Sequence, residues 1–218
     1  MARSSLSQQA AANPLPQPSK FYALWGRRLL ALLLVPALAL STYAVYTIQH
    51  ANFRALVNGE AYRSGQMDAK ELARTVDHYG IKSILNLRGE NPASAWYRAE
   101  IETAAKLNVA HHDRSLSSGQ ELAVEQMDEL VALLGRMPKP VLIHCQGGAD
   151  RSGLVSALFE VTIAGRTPEE AERELSVWYG HVPLIRPKVL AMDRSFRRYV
   201  SKRVSVARSR SQTNSATR

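Results

Sequence analysis

The pattern of polar and apolar positions divides the chain into one apolar block near the amino end and a body of short alternating elements. Between 29 and 53 there is no Asp, Glu, Lys or Arg, and the densest part, 29–48 (LLALLLVPALALSTYAVYTI), is 20 residues long. That is about the length a helix needs to cross ~30 Å of hydrocarbon. Pro36 interrupts the run, but membrane helices tolerate proline. Beyond it, Asn58-Gly59 between 53–57 and 60–64 predicts a β-hairpin, because both turn residues accept positive φ. Asp68 with Glu71 opens a helix that Gly80 closes. A buried strand over 81–87, a helix over 95–107 and a short strand over 109–112 follow. In 120–136, Leu122, Met127, Leu130, Val131 and Leu134 recur at helical spacing, and Pro138 and Pro140 end the run. The apolar 141–143 reads as a strand, with a helix from about Arg151 to Gly165. Thr167-Pro168-Glu169-Glu170 supplies the cap, first-turn proline and acids of another helix, and a last helix runs from about Pro187 into the tail. Strands alternating with helices predict the α/β class. We expect a central, mostly parallel sheet of four to five strands flanked by helices, preceded by one transmembrane helix.

A length of 218 residues allows one domain or a little more. The single cysteine excludes a disulfide scaffold and any multi-cysteine metal site within one chain. The net charge of +9 changes the picture only once it is located. Residues 1–28 and 194–218 carry only basic charges, 4 and 8 of them, so the stretch between is slightly acidic. This argues against a nucleic-acid partner for the body. The resulting organisation is a cytoplasmic leader over 1–28, a transmembrane or signal-anchor helix over 29–48, a folded body over 53–200 and a basic, disordered tail over 205–218. Arg27-Arg28 abuts the apolar run, which orients the amino end to the cytoplasm and the body to the opposite side, the periplasm in a bacterium. Ala37-Leu38-Ala39 has the form of a cleavage site, so anchor and cleaved signal both stay open.

The chemistry is concentrated in His144-Cys145-Gln146-Gly147-Gly148-Ala149-Asp150-Arg151-Ser152-Gly153, between a buried strand and a helix. Open α/β sheets place ligands at such strand ends. Adjacent glycines let the backbone curl and turn successive N–H groups on one centre, as a loop leading into a helix amino end does for a phosphate-sized anion. Amide dipoles there favour thiolate over thiol at Cys145, and the planar fork of Arg151 matches two phosphate oxygens at once. Together these groups describe attack by sulfur on phosphorus, giving a phosphocysteine.

The segment resembles the C-x5-R-[ST] motif of the cysteine-dependent protein tyrosine phosphatase superfamily, in particular its bacterial dual-specificity-like group. Tyr62-Arg63-Ser64-Gly65-Gln66, Ile84-Leu85-Asn86-Leu87-Arg88 and Tyr179-Gly180-His181-Val182-Pro183 are similar to further stretches of those proteins. The resemblance covers 53–200. It implies Cys145 as nucleophile, Arg151 as phosphate clamp and Ser152 as the hydroxyl that stabilises the leaving thiolate. It also implies that the amides of Gln146, Gly147, Gly148, Ala149, Asp150 and Arg151 hold phosphate oxygens, and that His144 orients the loop, with no metal or cofactor. A rhodanese loop typically has four residues between Cys and Arg, and here there are five.

The leaving oxygen needs a proton. In relatives the acid comes from a loop about thirty residues before the cysteine, which points to Asp113. Asp150 is the competitor, with helix capping as its ordinary role, and Glu90 is a third candidate. His111-His112-Asp113 suggests a metal site, but adjacent histidines on a strand face opposite ways. Arg63 and Arg88 either add positive charge to the pocket or pair with helix acids. The loop carries no Lys or Arg before Arg151, which favours a singly phosphorylated group such as phosphotyrosine, possible partners being a phosphorylated protein or a phospholipid. A loop that binds phosphate without turning it over is the rival of another class.

Overall fold

The computed structural model describes residues 20–49 and 51–216. The chain forms two units, Met1–Tyr46 and Thr47–Arg218. The described part of the first is almost entirely α1 (Lys20–Gln49), which contains Pro36. Ser41 and Thr42 donate their hydroxyls to the carbonyls of Ala37 and Leu38, each at 2.8 Å, so these polar groups are satisfied within the helix. Among the described residues no helix is both long and apolar enough to cross a membrane. Of the leader expected over 1–28, residues 1–19 lie outside the described residues and 20–28 belong to α1.

In the second unit, β1 (Arg54–Val57) and β2 (Ala61–Ser64) form the antiparallel hairpin expected from Asn58-Gly59, with Gly59 at φ +76°. Then come α2 (Ala69–Tyr79), β3 (Ser83–Asn86), α3 (Ala95–Lys106), β4 (Ala110–Asp113), α4 (Val124–Arg136), β5 (Val141–His144), α5 (Asp150–Thr162), the short α6 (Pro168–Ala171) and α7 (Leu190–Ala216). The five strands lie in the order β1-β2-β5-β3-β4, and only the β1–β2 pairing is antiparallel. This is the mostly parallel α/β sheet expected from the alternation of strands and helices.

Central β5 is buried throughout, and its residues alternate between two cores. Val141 and Ile143 pack with α4, α5 and α7 residues such as Met127, Leu158 and Phe196. Leu142 faces Tyr62, Leu72, Val76 and Ile84. The strand end at His144 is thereby fixed from both sides.

Three elements differ from expectation. α4 starts at Val124 rather than Gln120, because 120–123 is tied elsewhere: the Leu122 amide donates to Ser195 Oγ of α7 at 2.9 Å. Thr167 caps α6 as expected, accepting from the Glu170 amide, but α6 stops at Ala171 and continues as 3₁₀ turns. α7 runs on to Ala216, through most of the segment expected as a disordered tail. That segment has no Gly or Pro to stop a helix once begun.

Candidate active site

Cys145 follows β5 directly, and the loop from it to α5 contains Gly147 and Gly148. Gly148 has φ +65°, and a Cβ there would lie 2.7 Å from the Ser64 carbonyl carbon, so only glycine fits. The loop's carbonyls are held from outside. Arg63, fully buried on β2, donates to Gly148 O at 2.8 Å and Ala149 O at 3.0 Å, and also pairs with Glu174. Asn52 Nδ2 donates to Gly148 O at 2.8 Å and to Tyr179 O at 2.9 Å. With the carbonyls anchored outward, the amides are free to face the cysteine.

Cys145 is buried, its Sγ 3.4 Å from the Ser152 hydroxyl. Burial pushes its thiol up. Hydrogen bonds from the Ser152 hydroxyl and from the amides of Ser152 and Ala149, with the charge of Arg151, outweigh that and hold it below the ordinary 9.0. Arg151 is half-buried, and its Nη1 lies 3.3 Å from Leu87 O and 3.4 Å from Leu116 O. The structure thus brings Cys145, Arg151 and Ser152 together. Gln146 and Gly147 lie exposed at the loop's outer turn, while Gly148, Ala149 and Asp150 are buried.

The two candidate acids have different surroundings. Asp113, at the end of β4, accepts from Asn86 Nδ2 at 2.7 Å and from the Tyr97 hydroxyl at 2.8 Å. Its side chain keeps 26% exposure, and burial plus this bond push Tyr97 up to about 12. Asp150 is nearly enclosed: it accepts from His181 Nδ1 at 2.8 Å and pairs with Arg186 at 3.1 Å. It is the first residue of α5 and not its cap, which is Ala149. His181 is itself held between Asp150 and Asp193. Burial disfavours its charged form, but the two carboxylates raise its proton affinity above the ordinary value. Glu90 lies exposed in the turn after β3.

Sequence reasoning missed Glu100. It lies buried on α3 and accepts from His111 Nε2 at 2.8 Å, His144 Nε2 at 3.1 Å and Gln66 Nε2 at 2.6 Å. Burial opposes ionisation, yet these three donors hold its carboxyl well below the usual carboxylate range. The available signal was its register: Tyr97, Glu100 and Ala104 share one helical face. Among the described residues, Glu100, His111 and His144 are the one group able to take a metal ion, their ligand atoms lying within 4.8 Å of one another. Both ring nitrogens already bond to one carboxylate oxygen, and hydrogen bonding accounts for the cluster.

Residues 51–207 match the family described as the DSP-PTPase phosphatase domain of the Swiss Army Knife protein, PTP-SAK. The chain belongs to this family. It is thus a cysteine-dependent phosphatase of the tyrosine and dual-specificity type, with Cys145 at the strand end where the resemblance put it. Among solved structures, the core catalytic domain of the S. cerevisiae PP-IP phosphatase Siw14, in complex with citrate, is similar to the chain. It has a TM-score of 0.56 and 17% identity, covering 74% of this chain and 93% of that one. P. aeruginosa TpbA in complex with phosphotyrosine matches with a TM-score of 0.54 and 16% identity, over 67% of this chain and 83% of that one. Tk-PTP in its active form matches with a TM-score of 0.50 and 22% identity, over 67% and 97%. At these identities the likeness is one of fold. No curated protein matches the chain.

Proposed function

We propose that the protein hydrolyses phosphate monoesters, phosphotyrosine among them, through a phosphocysteine, and that its 29–48 segment anchors it to a membrane with the catalytic body outside the cytoplasm. The observation that carries the chemistry is the Cys145 sulfur 3.4 Å from Ser152 Oγ, with its proton affinity lowered despite burial. The thiolate attacks phosphorus, the S–P bond forms, and the P–O bond to the leaving group breaks. Arg151 and the loop amides hold the equatorial oxygens, and Asp113 gives its proton to the leaving oxygen. Water then attacks the phosphocysteine and returns a proton to Asp113. The S–P bond breaks, inorganic phosphate leaves, and Ser152 stabilises the restored thiolate. Asp113 suits this better than Asp150, whose carboxylate is engaged by His181 and Arg186.

The anchoring rests on the 20 uncharged residues of 29–48 and on the exposed leucines of α1, Leu32, Leu33 and Leu38 among them. Such a position also brings phospholipid substrates within reach. The test is hydrolysis of para-nitrophenyl phosphate by the full chain and by Cys145→Ser. Turnover in the parent and none in the variant is the expected result, and equal rates defeat the enzyme reading in favour of a phosphate-binding module. Phosphotyrosyl peptides assayed against phosphatidylglycerophosphate divide protein from lipid substrates. Protease accessibility in intact cells checks the side of the membrane.

A further inference from the structure

Of the two arginines left open by the sequence, Arg63 is consumed beneath the loop and Arg88 is not. Arg88 follows β3, and its backbone amide is fixed by Asn86 Oδ1 at 2.9 Å. Its guanidinium carbon lies over the Trp96 ring, 3.5 Å from the centroid, and Nη1 donates to Gln66 Oε1 at 3.0 Å. The Gln66 amide cannot turn over to refuse this bond. Its NH2 is held by Glu100, and an ionised carboxylate only accepts, so Oε1 must face Arg88. A chain of Glu100, Gln66 and Trp96 therefore locks the guanidinium plane.

Toward the described residues that guanidinium uses one of its five N–H donors. Among the described residues no carboxylate pairs with Arg88. Its neighbour is another cation. Arg151 Nη1 sits 3.3 Å from Leu87 O, whose carbon is bonded to the Arg88 nitrogen, and the Gln66 amide donates to Gln146 O of the cysteine loop at 3.1 Å. Burial and the charge of Arg151 lower the proton affinity of Arg88 and outweigh the opposing charges of Glu100 and Cys145. A held guanidinium with free donors, repelled by Arg151 and only partly offset by Glu100 and Cys145, is suited to take further negative charge from a ligand.

We infer that Arg88 forms a second phosphate subsite beside the one at Cys145, so that the preferred substrate carries a second phosphate on the same small molecule. This rests on the phosphatase reading above and refines it: a cation missing from the loop sequence is supplied from the turn after β3. Because Gln66 holds the Arg88 guanidinium and also bonds the cysteine loop at Gln146 O, the second phosphate is assigned to the same small molecule as the scissile one, as on neighbouring hydroxyls of a polyol. A bidentate guanidinium–phosphate contact supplies both affinity and geometric selection.

The test is calorimetric titration of the full chain, of Arg88→Met and of Arg88→Lys, with inorganic phosphate and with methylenebisphosphonate. Para-nitrophenyl phosphate turnover is measured in parallel. The parent is expected to bind the bisphosphonate at least ~10-fold more tightly than phosphate, charge-assisted bonds being the strong ones. The ratio of the two dissociation constants should collapse toward one in Arg88→Met and remain reduced in Arg88→Lys, which keeps charge but loses the fork. A ratio unchanged by both variants overturns the subsite, as does a parent that shows no preference. The ratio is read by binding, so a parent that shows the preference without turnover keeps the subsite and defeats the phosphatase reading instead. Initial rates on an inositol bisphosphate and a doubly phosphorylated peptide, each against its singly phosphorylated form, complete the comparison. A gain confined to the peptide overturns the small-molecule assignment.

Discussion

Glu160 offers a sharp test of the electrostatics behind the loop. It lies on α5, 8% exposed, and its carboxyl is pushed up from 4.5 to about 7. Burial is the main cause and the charge of Glu174 the next, with Arg166 and Arg63 opposing. An acid whose proton affinity is higher folded than unfolded binds more protons in the native state between those two values. Stability therefore falls as pH rises from about 4.5 to about 7 and then levels off. At ~1.4 kcal/mol per tenfold change in proton affinity, the full rise costs ~3 kcal/mol, and solvent relaxation reduces this to ~2 kcal/mol. Glu160→Gln keeps the shape and removes the ionisation. At pH 8.5 the variant should melt about 4–8 °C above the parent, and at pH 5 the two should coincide within about 2 °C. Thermal unfolding of the full chain, followed by circular dichroism across pH 5–9, reads this directly. Subtracting parent from variant cancels the parallel drift from His181, whose raised proton affinity also costs stability as pH climbs. A constant offset between the two curves, or a variant that is less stable at pH 8.5, refutes the reasoning.

Two other outcomes follow from the site. Asp113→Asn should cut turnover of phenyl phosphate by ~10²–10³ and affect para-nitrophenyl phosphate, with its better leaving group, much less. Rates on both substrates unchanged from the parent's would transfer the acid role to Asp150. Arg63→Met removes the donor to Gly148 O and Ala149 O and strands Glu174, so chemical denaturation should show a loss of ~3–5 kcal/mol. A loss below ~1 kcal/mol would mean that the loop holds its own shape.

Where the sequence was readable, a single local rule decided the structure. Asn58-Gly59 could only be a tight turn, and Asp68 accepts from the Glu71 amide at 2.7 Å while Gly80 takes a left-handed conformation. Val141-Leu142-Ile143 before a Gly-Gly loop placed Cys145, Arg151 and Ser152 within reach of one another. Long-range demands overrode local rules elsewhere. The acids after Thr167 promised a longer helix, yet Glu174 O accepts from Arg63 Nη1 at 2.9 Å instead of continuing a helical ladder. The same carbonyl would lie 2.8 Å from a Cβ on Gly153, so the chain bends to meet α5 closely there. Glu100 was invisible for a similar reason. Its partners Gln66, His111 and His144 come from three separate elements that only the sheet order brings together.

The arginines around the loop separate by what stands behind them. Arg63 is neutralised by Glu174, and Arg186 by Asp150, and both serve the loop's outer side through its carbonyls or its helix. Arg88 and Arg151 have no carboxylate partner among the described residues: Arg151 donates to the Leu87 carbonyl, and Arg88 donates to Gln66, whose own amide bonds the cysteine loop at Gln146 O. Glu174 and Asp150 thus neutralise the arginines behind the loop, while in front Glu100 is taken up by His111, His144 and Gln66, and among the described residues Arg88 and Arg151 are left without an ion pair. Such a front lowers folding stability through repulsion and raises affinity for an anion by the same interaction. Bound phosphate should accordingly raise the melting temperature of the parent, and less so that of Arg88→Met, because the charge that opposes folding is the charge that the ligand relieves.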